Sequence, residues 1–348
     1  MNKLLLTTAA IALSASPVLA SDIKVSVGGY FTSMYYNVDS DNTGVDYVDS
    51  SLQEDAEIIF KGKGVAGNGI EYGFQVELEA ASTTDATDTS DQIDEHYIYV
   101  KGGFGKVIVG AENSAAYLMQ VSAPNFLAYK TWDNNFDTWS EVAKFEKPLH
   151  DNYSGDANKV SYMSPKLNGL QIGLSYTPSN TYSGGAGVSL SDSLLVESAS
   201  KYEDVYSYAV SYGTKLGGVD VKASYTYEEG DKGTVTDDET SIGLQLKSGN
   251  FAIGGNYFES DEANGNDWEI YHYGISYKMG ATTIGLAIQD QEDASAANTN
   301  NDTTVTVVGG NTKLMDGVAL TYSYEMVESD NTSKGDSEFL GLGLALKF

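Results

Sequence analysis

The chain has 348 residues, with 49 acidic side chains against 20 lysines and a formal net charge of −29 at pH 7; arginine and cysteine do not occur. So acidic a chain excludes nucleic acid as a partner, because phosphate binding needs a basic face, and the lack of cysteine excludes a disulfide framework and thiolate chemistry. Gly 37 and Tyr 25 against Pro 5 suit twisted, glycine-relieved strands, and one local pattern recurring from end to end argues for a single domain although the length alone favours two.

The first 20 residues, MNKLLLTTAAIALSASPVLA, place a lysine before a short apolar core and end on Val18-Leu19-Ala20. That is the layout of a secretory signal peptide cleaved before Ser21. Residues 21–348 are then the mature domain, with 19 lysines against 49 acids and a formal charge of −30. No later stretch reaches the roughly 18 to 20 apolar residues of a membrane helix, so a membrane location requires strands.

From Gly69 to Ala80 the residues Ile70, Tyr72, Phe74, Val76 and Leu78 alternate with Glu71, Gly73, Gln75, Glu77 and Glu79. An apolar side chain at every second position over about ten residues is the signature of a transmembrane strand. The alternation returns in Leu170–Tyr176, Tyr206–Tyr212, Val219–Tyr227, Ile242–Leu246, Tyr271–Tyr277 and Val318–Met326. The polar faces, rich in Gly, Ser, Glu and Lys, suit a wet lumen, which places the apolar faces outside.

Short turns are expected at Gly64 to Asn68, Gly102-Gly103, Asn168-Gly169, Gly217-Gly218, Gly249-Asn250, Met279-Gly280 and Asp316-Gly317, several of them the glycine dipeptides of tight hairpins. Polar loops alternate with them near 37–50, 82–90, 112–157, 178–202, 229–237, 259–266, 291–301 and 328–335. Seven turns and eight loops imply sixteen strands. The expected fold is therefore all-β, a transmembrane antiparallel β-barrel closed so that no edge meets lipid and wide enough to enclose water. Short periplasmic turns and long outer loops set its orientation. Tyr36, Tyr176, Tyr227, Tyr257 and Tyr324 are expected to mark the lipid–water boundary on the loop side.

The third loop, 112–157, never settles into alternation, yet it carries Phe126, Tyr129, Trp132, Phe136, Trp139 and Phe145 among spaced acids. A loop this long in a compact architecture is functional or disordered, and its aromatics favour packing into the lumen as a constriction. The last strand, SEFLGLGLALKF, sets Leu340, Leu342, Leu344, Leu346 and Phe348 on one face.

The start DIKVSVGGYF, the segment GGFGKVIVGAENSAAY entering the third loop, and the terminal phenylalanine resemble the trimeric general porins of Gram-negative outer membranes, of the alphaproteobacterial type. The resemblance implies a sixteen-stranded homotrimer, a third loop folded inward as the eyelet, and a terminal strand (Leu342, Leu344, Leu346, Phe348) read by the outer-membrane assembly machinery. Members often carry arginine just after the glycine of the strand entering the third loop; this chain has Ala111-Glu112 there.

Asp133, Asp137, Glu141 and Glu146 are the expected constriction acids. Parity assigns Glu57, Glu71, Gln75, Glu77, Lys24, Lys61 and Lys159 to the lumen wall, with further lysines (Lys222, Lys247, Lys278) near the turns. One carboxylate about 5 Å from a cation in water is worth on the order of 0.8 kcal/mol, and salt screens it over about 8 Å. Several acids therefore bias cations over anions by roughly an order of magnitude without selecting one ion. The reading is an outer-membrane channel for passive diffusion of small hydrophilic solutes and ions, in contact with lipid and lipopolysaccharide. A sugar-specific channel with aromatics along its track, and an adhesive surface barrel with a plugged pore, are the alternatives. No cofactor is expected. Asp39, Asp41, Asp46 and Asp49 in the first loop are solvated acids or ligands of a divalent cation such as calcium. An enzyme is not expected, since His96, His150 and His272 are scattered and none adjoins a nucleophile motif.

Overall fold

The structure, a computed structural model, describes residues 22–43, 47–80, 93–129, 143, 147–150, 153–181, 200–263, 265, 267–294, 301–331 and 334–348. The expected signal peptide lies outside them.

The strands are β1 (Lys24–Ser40), β2 (Ser50–Val65), β3 (Glu71–Glu79), β4 (His96–Gly102), β5 (Gly105–Ala111), β6 (Asn158–Met163), β7 (Leu170–Ser179) and β8 (Tyr202–Leu216). They continue as β9 (Val219–Lys232), β10 (Val235–Ser248), β11 (Phe251–Asp261), β12 (Trp268–Met279), β13 (Thr282–Asp293), β14 (Thr303–Met315), β15 (Val318–Ser329) and β16 (Ser337–Lys347). One short helix, α1 (Ala115–Met119), follows β5. Each strand pairs antiparallel with its sequence neighbour, and β16 returns to β1, giving a closed sixteen-stranded barrel. No described helix is long and apolar enough to cross a membrane.

Closure is completed at the terminal residue. Gly29 and Phe348 exchange two backbone hydrogen bonds, each 3.1 Å, and the Phe348 ring stacks 6.3 Å from Phe31. A Cβ at Gly29 would lie 2.2 Å from the Glu57 carbonyl oxygen, so only glycine fits between the two flanking strands there.

The faces follow the period of two. Outward Leu340, Leu342, Leu344 and Leu346 are exposed, while Phe339, Gly341, Gly343 and Ala345 between them are buried. In lipid, that exposed apolar face is the favourable one. Among the expected boundary tyrosines, Tyr176 donates to Asp204 (2.5 Å) and Tyr227 to Glu229 (3.1 Å) on the outer face. Tyr36 does not join them. It is buried inside the barrel, 2.9 Å from the Tyr129 hydroxyl, because it shares parity with Tyr30 and Met34; Tyr35 is the exposed neighbour.

All seven short turns fall where expected, but the loop expected at 229–237 is a correction. β9 and β10 stay paired from Tyr227↔Thr240 up to Lys232↔Val235, leaving Gly233-Thr234 as a two-residue tip with Gly233 at φ +67°. The acids there read as loop by composition, yet they alternate: Asp237 and Glu239 are buried inward, and Asp238 points out.

Candidate pore-lining site

The segment after β5 runs along the inner wall. Ser114 caps α1, its hydroxyl accepting from the Tyr117 N–H at 3.2 Å, and Ala115 and Met119 pack against Ala209 of β8. The Val121 N–H then donates to Ser224 of β9 (2.8 Å), and Gln245 of β10 donates to the Ser122 carbonyl (3.2 Å). Asn311 of β14 donates to the Phe126 carbonyl (2.8 Å), the Ala128 N–H reaches Thr321 of β15 (3.3 Å), and Tyr129 meets Tyr36 of β1. Two inward glycines make room for this path: a Cβ at Gly243 would lie 1.7 Å from the Val121 carbonyl oxygen, and one at Gly285 would lie 2.4 Å from the Phe126 ring.

The segment's far end is held from the opposite side. His150, fully buried, sets Nε2 2.9 Å from Thr226 Oγ1 and Nδ1 3.3 Å from the Glu239 carboxylate, and burial pushes its imidazole down to about 3. Asn256 donates to the Pro148 carbonyl (3.1 Å), Tyr153 to the Asp238 carbonyl (3.2 Å), and the Ser154 N–H to Glu228 (3.0 Å). Lys159, expected on the open wall, is 2 % exposed. Its ammonium donates to the carbonyls of Glu112, Gly155 (2.6 Å) and Ala157 (2.8 Å), so it ties both ends of the segment together and offers no free charge to the lumen.

Between the segment and the wall lies a cavity of about 970 Å³. Asp55, Glu57, Glu77, Glu79, Asp94 and Glu95 line it on the acidic side, and Lys61, Lys147, Lys313 and Lys347 on the basic side. Glu57, Glu79 and Asp94 have carboxylate oxygens within 4.8 Å of one another, as do Glu77, Asp94 and Glu95. Such crowding disfavours full ionisation. Glu95 is pushed up to about 9 by burial first and then by the charges of Glu112 and Glu77, and burial also raises Glu112. Tyr30 donates to Glu57 (2.7 Å) and Asp55 (3.2 Å), and Asn113 to Glu95 (2.9 Å).

Expected wall residues Glu57, Glu77 and Lys61 thus meet in one cavity. Gln75 donates to Glu77, Glu71 pairs with Lys63 at 2.5 Å, and Lys24 is exposed on the face of Ser26 and Gly28. Asp55 and Glu79 share strand parity with Glu57 and Glu77 and were readable from the same alternation; Asp94 and Glu95 precede β4 outside any alternation. The expected constriction acids Asp133, Asp137, Glu141 and Glu146 lie outside the described residues, as does Asp46. Asp41 and Asp49 engage through their backbones, the Asp41 N–H donating to the Asp336 carbonyl and the Asp49 carbonyl accepting from Val38, while Asp39 faces Glu338 across β1 and β16. The three are not among the carboxylate groups that converge within 4.8 Å among the described residues.

A family model described as Gram-negative porin matches residues 7–332. No curated protein matches. Among solved structures, an anion-selective porin from Comamonas acidovorans is similar at 16 % identity, covering 94 % of this chain and 100 % of its own, with a TM-score of 0.63. The trimer form of OmpT, an outer membrane protein of Vibrio cholerae, has 14 % identity, coverage of 94 % and 100 %, and a TM-score of 0.62. A mutant of Rh. blastica porin has 15 % identity, coverage of 93 % and 100 %, and a TM-score of 0.58. With the match spanning most of its length and a closed sixteen-stranded barrel beneath it, the chain belongs to the Gram-negative porin family.

Proposed function

We propose that the chain forms a water-filled, weakly cation-preferring channel through which small hydrophilic solutes and ions diffuse passively, with residues 112–157 as its constriction. The observation that carries this is the cluster of inward carboxylates, Asp55, Glu57, Glu77, Glu79 and Asp94, on the acidic side of the inner cavity in a chain without arginine. The Comamonas porin is anion-selective by its own description; the sign of selectivity is set by wall charges, not by the barrel, so the shared fold leaves room for the opposite preference. We further propose a homotrimer, in keeping with the trimer form of the Vibrio protein. Asp133, Asp137, Glu141 and Glu146 complete the acidic side of the eyelet in this reading, and the strand ending at Phe348 serves as the assembly signal.

Planar-bilayer conductance under a KCl gradient tests it. A reversal potential of cation sign supports the reading, and an anion-signed potential from a conducting protein sinks it. Neutralising Asp133, Asp137, Glu141 and Glu146 together is expected to reduce the cation preference.

A second reading, a solute-specific channel, draws on a cavity of about 210 Å³ between Tyr153, Tyr202, Phe258 and Trp268, with Lys232 and Glu262 at its edge. Its four rings are each at most 7 % exposed, which leaves little aromatic face for a sugar to stack on. Saturable block of the current by sugars would favour this reading over general diffusion.

A further inference from the structure

The inner wall changes sign along its axis. On β2 the inward residues run from Asp55 and Glu57 near the loop end, through Ile59, to Lys61 and Lys63 near the turn end, a distance of roughly 26 Å at the usual rise per residue. The same order recurs across the barrel: Glu228 and Glu239 are buried at the loop end of β9 and β10, and Lys222 and Lys247 on the same faces are exposed at the turn end. On β14 and β15, Lys313 lies at the turn end and Glu325 at the loop end; like Glu228 and Glu239 it is buried, so the charges open to the lumen in the acidic half are those of β2 and β3.

Acids at the level of the turns are few: Asp22 precedes β1, exposed and in no ion pair among the described residues, and the others are engaged. Glu71 pairs with Lys63 at 2.5 Å, Asp220 with Lys215 at 3.4 Å, and Asp316 with Lys313 at 2.5 Å. Lys24, Lys61, Lys101, Lys222, Lys247, Lys278 and Lys347 remain, all exposed on the inward face and in no ion pair among the described residues. A chain with a net charge of −29 therefore closes its turn-side mouth with a collar of lysines.

We propose that this collar is an anion-recruiting site and that, in series with the acidic loop-side half, it makes the channel a rectifier. The inference rests on the channel reading above. With the loop side positive, cations are driven in through the acidic half and anions through the collar, so both accumulate where the two zones meet and the current is large. With the loop side negative, each zone rejects the ion arriving at its mouth, and the junction is depleted. The solutes that the collar concentrates are small anions bearing phosphate or carboxylate groups, presented from the periplasmic side, where the short turns lie. Exposed charges are screened over about 8 Å in physiological salt and about 3 Å in 1 M salt, so the asymmetry belongs to dilute solution.

The test is the single-channel current–voltage curve, with orientation fixed by a thiol reagent on Thr43→Cys, a unique handle in a chain without cysteine. In about 0.05 M KCl the current at roughly 100 mV is expected to be about twofold larger with the loop side positive, and the ratio to approach one in 1 M KCl. Neutralising the collar as K24Q/K61Q/K101Q/K222Q/K247Q/K278Q/K347Q is expected to abolish the asymmetry in dilute salt. Tripolyphosphate is expected to block from the turn side at concentrations that do nothing from the loop side. Because the salt series and the tripolyphosphate block use the unneutralised collar, they decide the matter even where the seven-site variant fails to assemble. Symmetric currents in dilute salt, or equal block from both sides, overturn the collar and leave a diffusion channel standing. Absence of any conductance removes both.

Discussion

In the wall, each residue's partner follows from its neighbour's: once Gly29 sits opposite Phe348, the whole β1–β16 register from Tyr30↔Lys347 to Ser40↔Ser337 is fixed, and every outward leucine of β16 with it. In the segment inside the wall, each contact is separate. Val121 finds Ser224, Phe126 finds Asn311 and His150 finds Thr226, with no repeat linking one to the next. The wall is held by a periodic ladder and by solvation of its outer face in lipid, whereas the segment is held by single hydrogen bonds and by local packing, as of Phe126, Leu127 and Tyr129 on Met34, Val305 and Val307. Damage to the first should unfold the barrel, and damage to the second should change conduction while the barrel stands.

The largest effect is expected outside. Leu342 lies at the middle of β16 and is exposed, so Leu342→Lys puts a charge near the bilayer midplane, at a cost of about 2–4 kcal/mol. Urea unfolding from lipid vesicles should show that loss, with the conductance of surviving channels unchanged. Lys159→Met comes next. It leaves the buried carbonyls of Glu112, Gly155 and Ala157 without their shared donor, a loss on the order of 1–3 kcal/mol. Because Lys159 closes the neck of the inner segment, the expected signature is flickering, enlarged current with a barrel that still resists denaturation by detergent. Gly243→Ala is smaller and more local: the new Cβ meets the Val121 carbonyl and must push the segment off β10, whereas Gly213→Ala, with nothing within 4 Å, should leave single-channel current unchanged. Equal effects of the two glycine changes would mean that the close approach at Val121 does not set the bore.

The same division explains what could be read from the chain before its structure. Period-two alternation assigned Glu57, Glu71, Gln75 and Glu77 to one face because a strand offers only two faces, and the seven glycine-marked turns fixed the strand count. Alternation failed where composition outweighed it: Asp237, Asp238 and Glu239 look like loop, yet two are inward and one outward on a paired strand. It was also misapplied at Tyr36, whose parity with Lys24 already placed it inside. The cavity's Asp94 and Glu95 had no such signal, because their position depends on where a loop returns to the wall. Nor did the pairing of His150 with Glu239, 89 residues apart along the chain and 3.3 Å apart in space.

Glu95 supplies the smallest and sharpest separation of wall from segment. Burial and the nearby charges of Glu112 and Glu77 raise it to about 9, so at neutral pH it is protonated and adds nothing to the lumen's field. The folded protein holds a proton that an unfolded chain, with a carboxyl near 4.3, has already released. The corresponding stability is fully present below that value and is lost as pH rises through about 9. Conduction should move in the same window, because each newly ionised carboxylate favours cations by at most about 0.8 kcal/mol before screening. The cation permeability ratio is therefore expected to rise, by less than about twofold, between roughly pH 8 and 9.5. Glu95→Gln should flatten that rise while leaving the ratio at pH 7 where it was. If the variant instead lowers cation preference at pH 7, Glu95 is ionised in the native channel and contributes to its field.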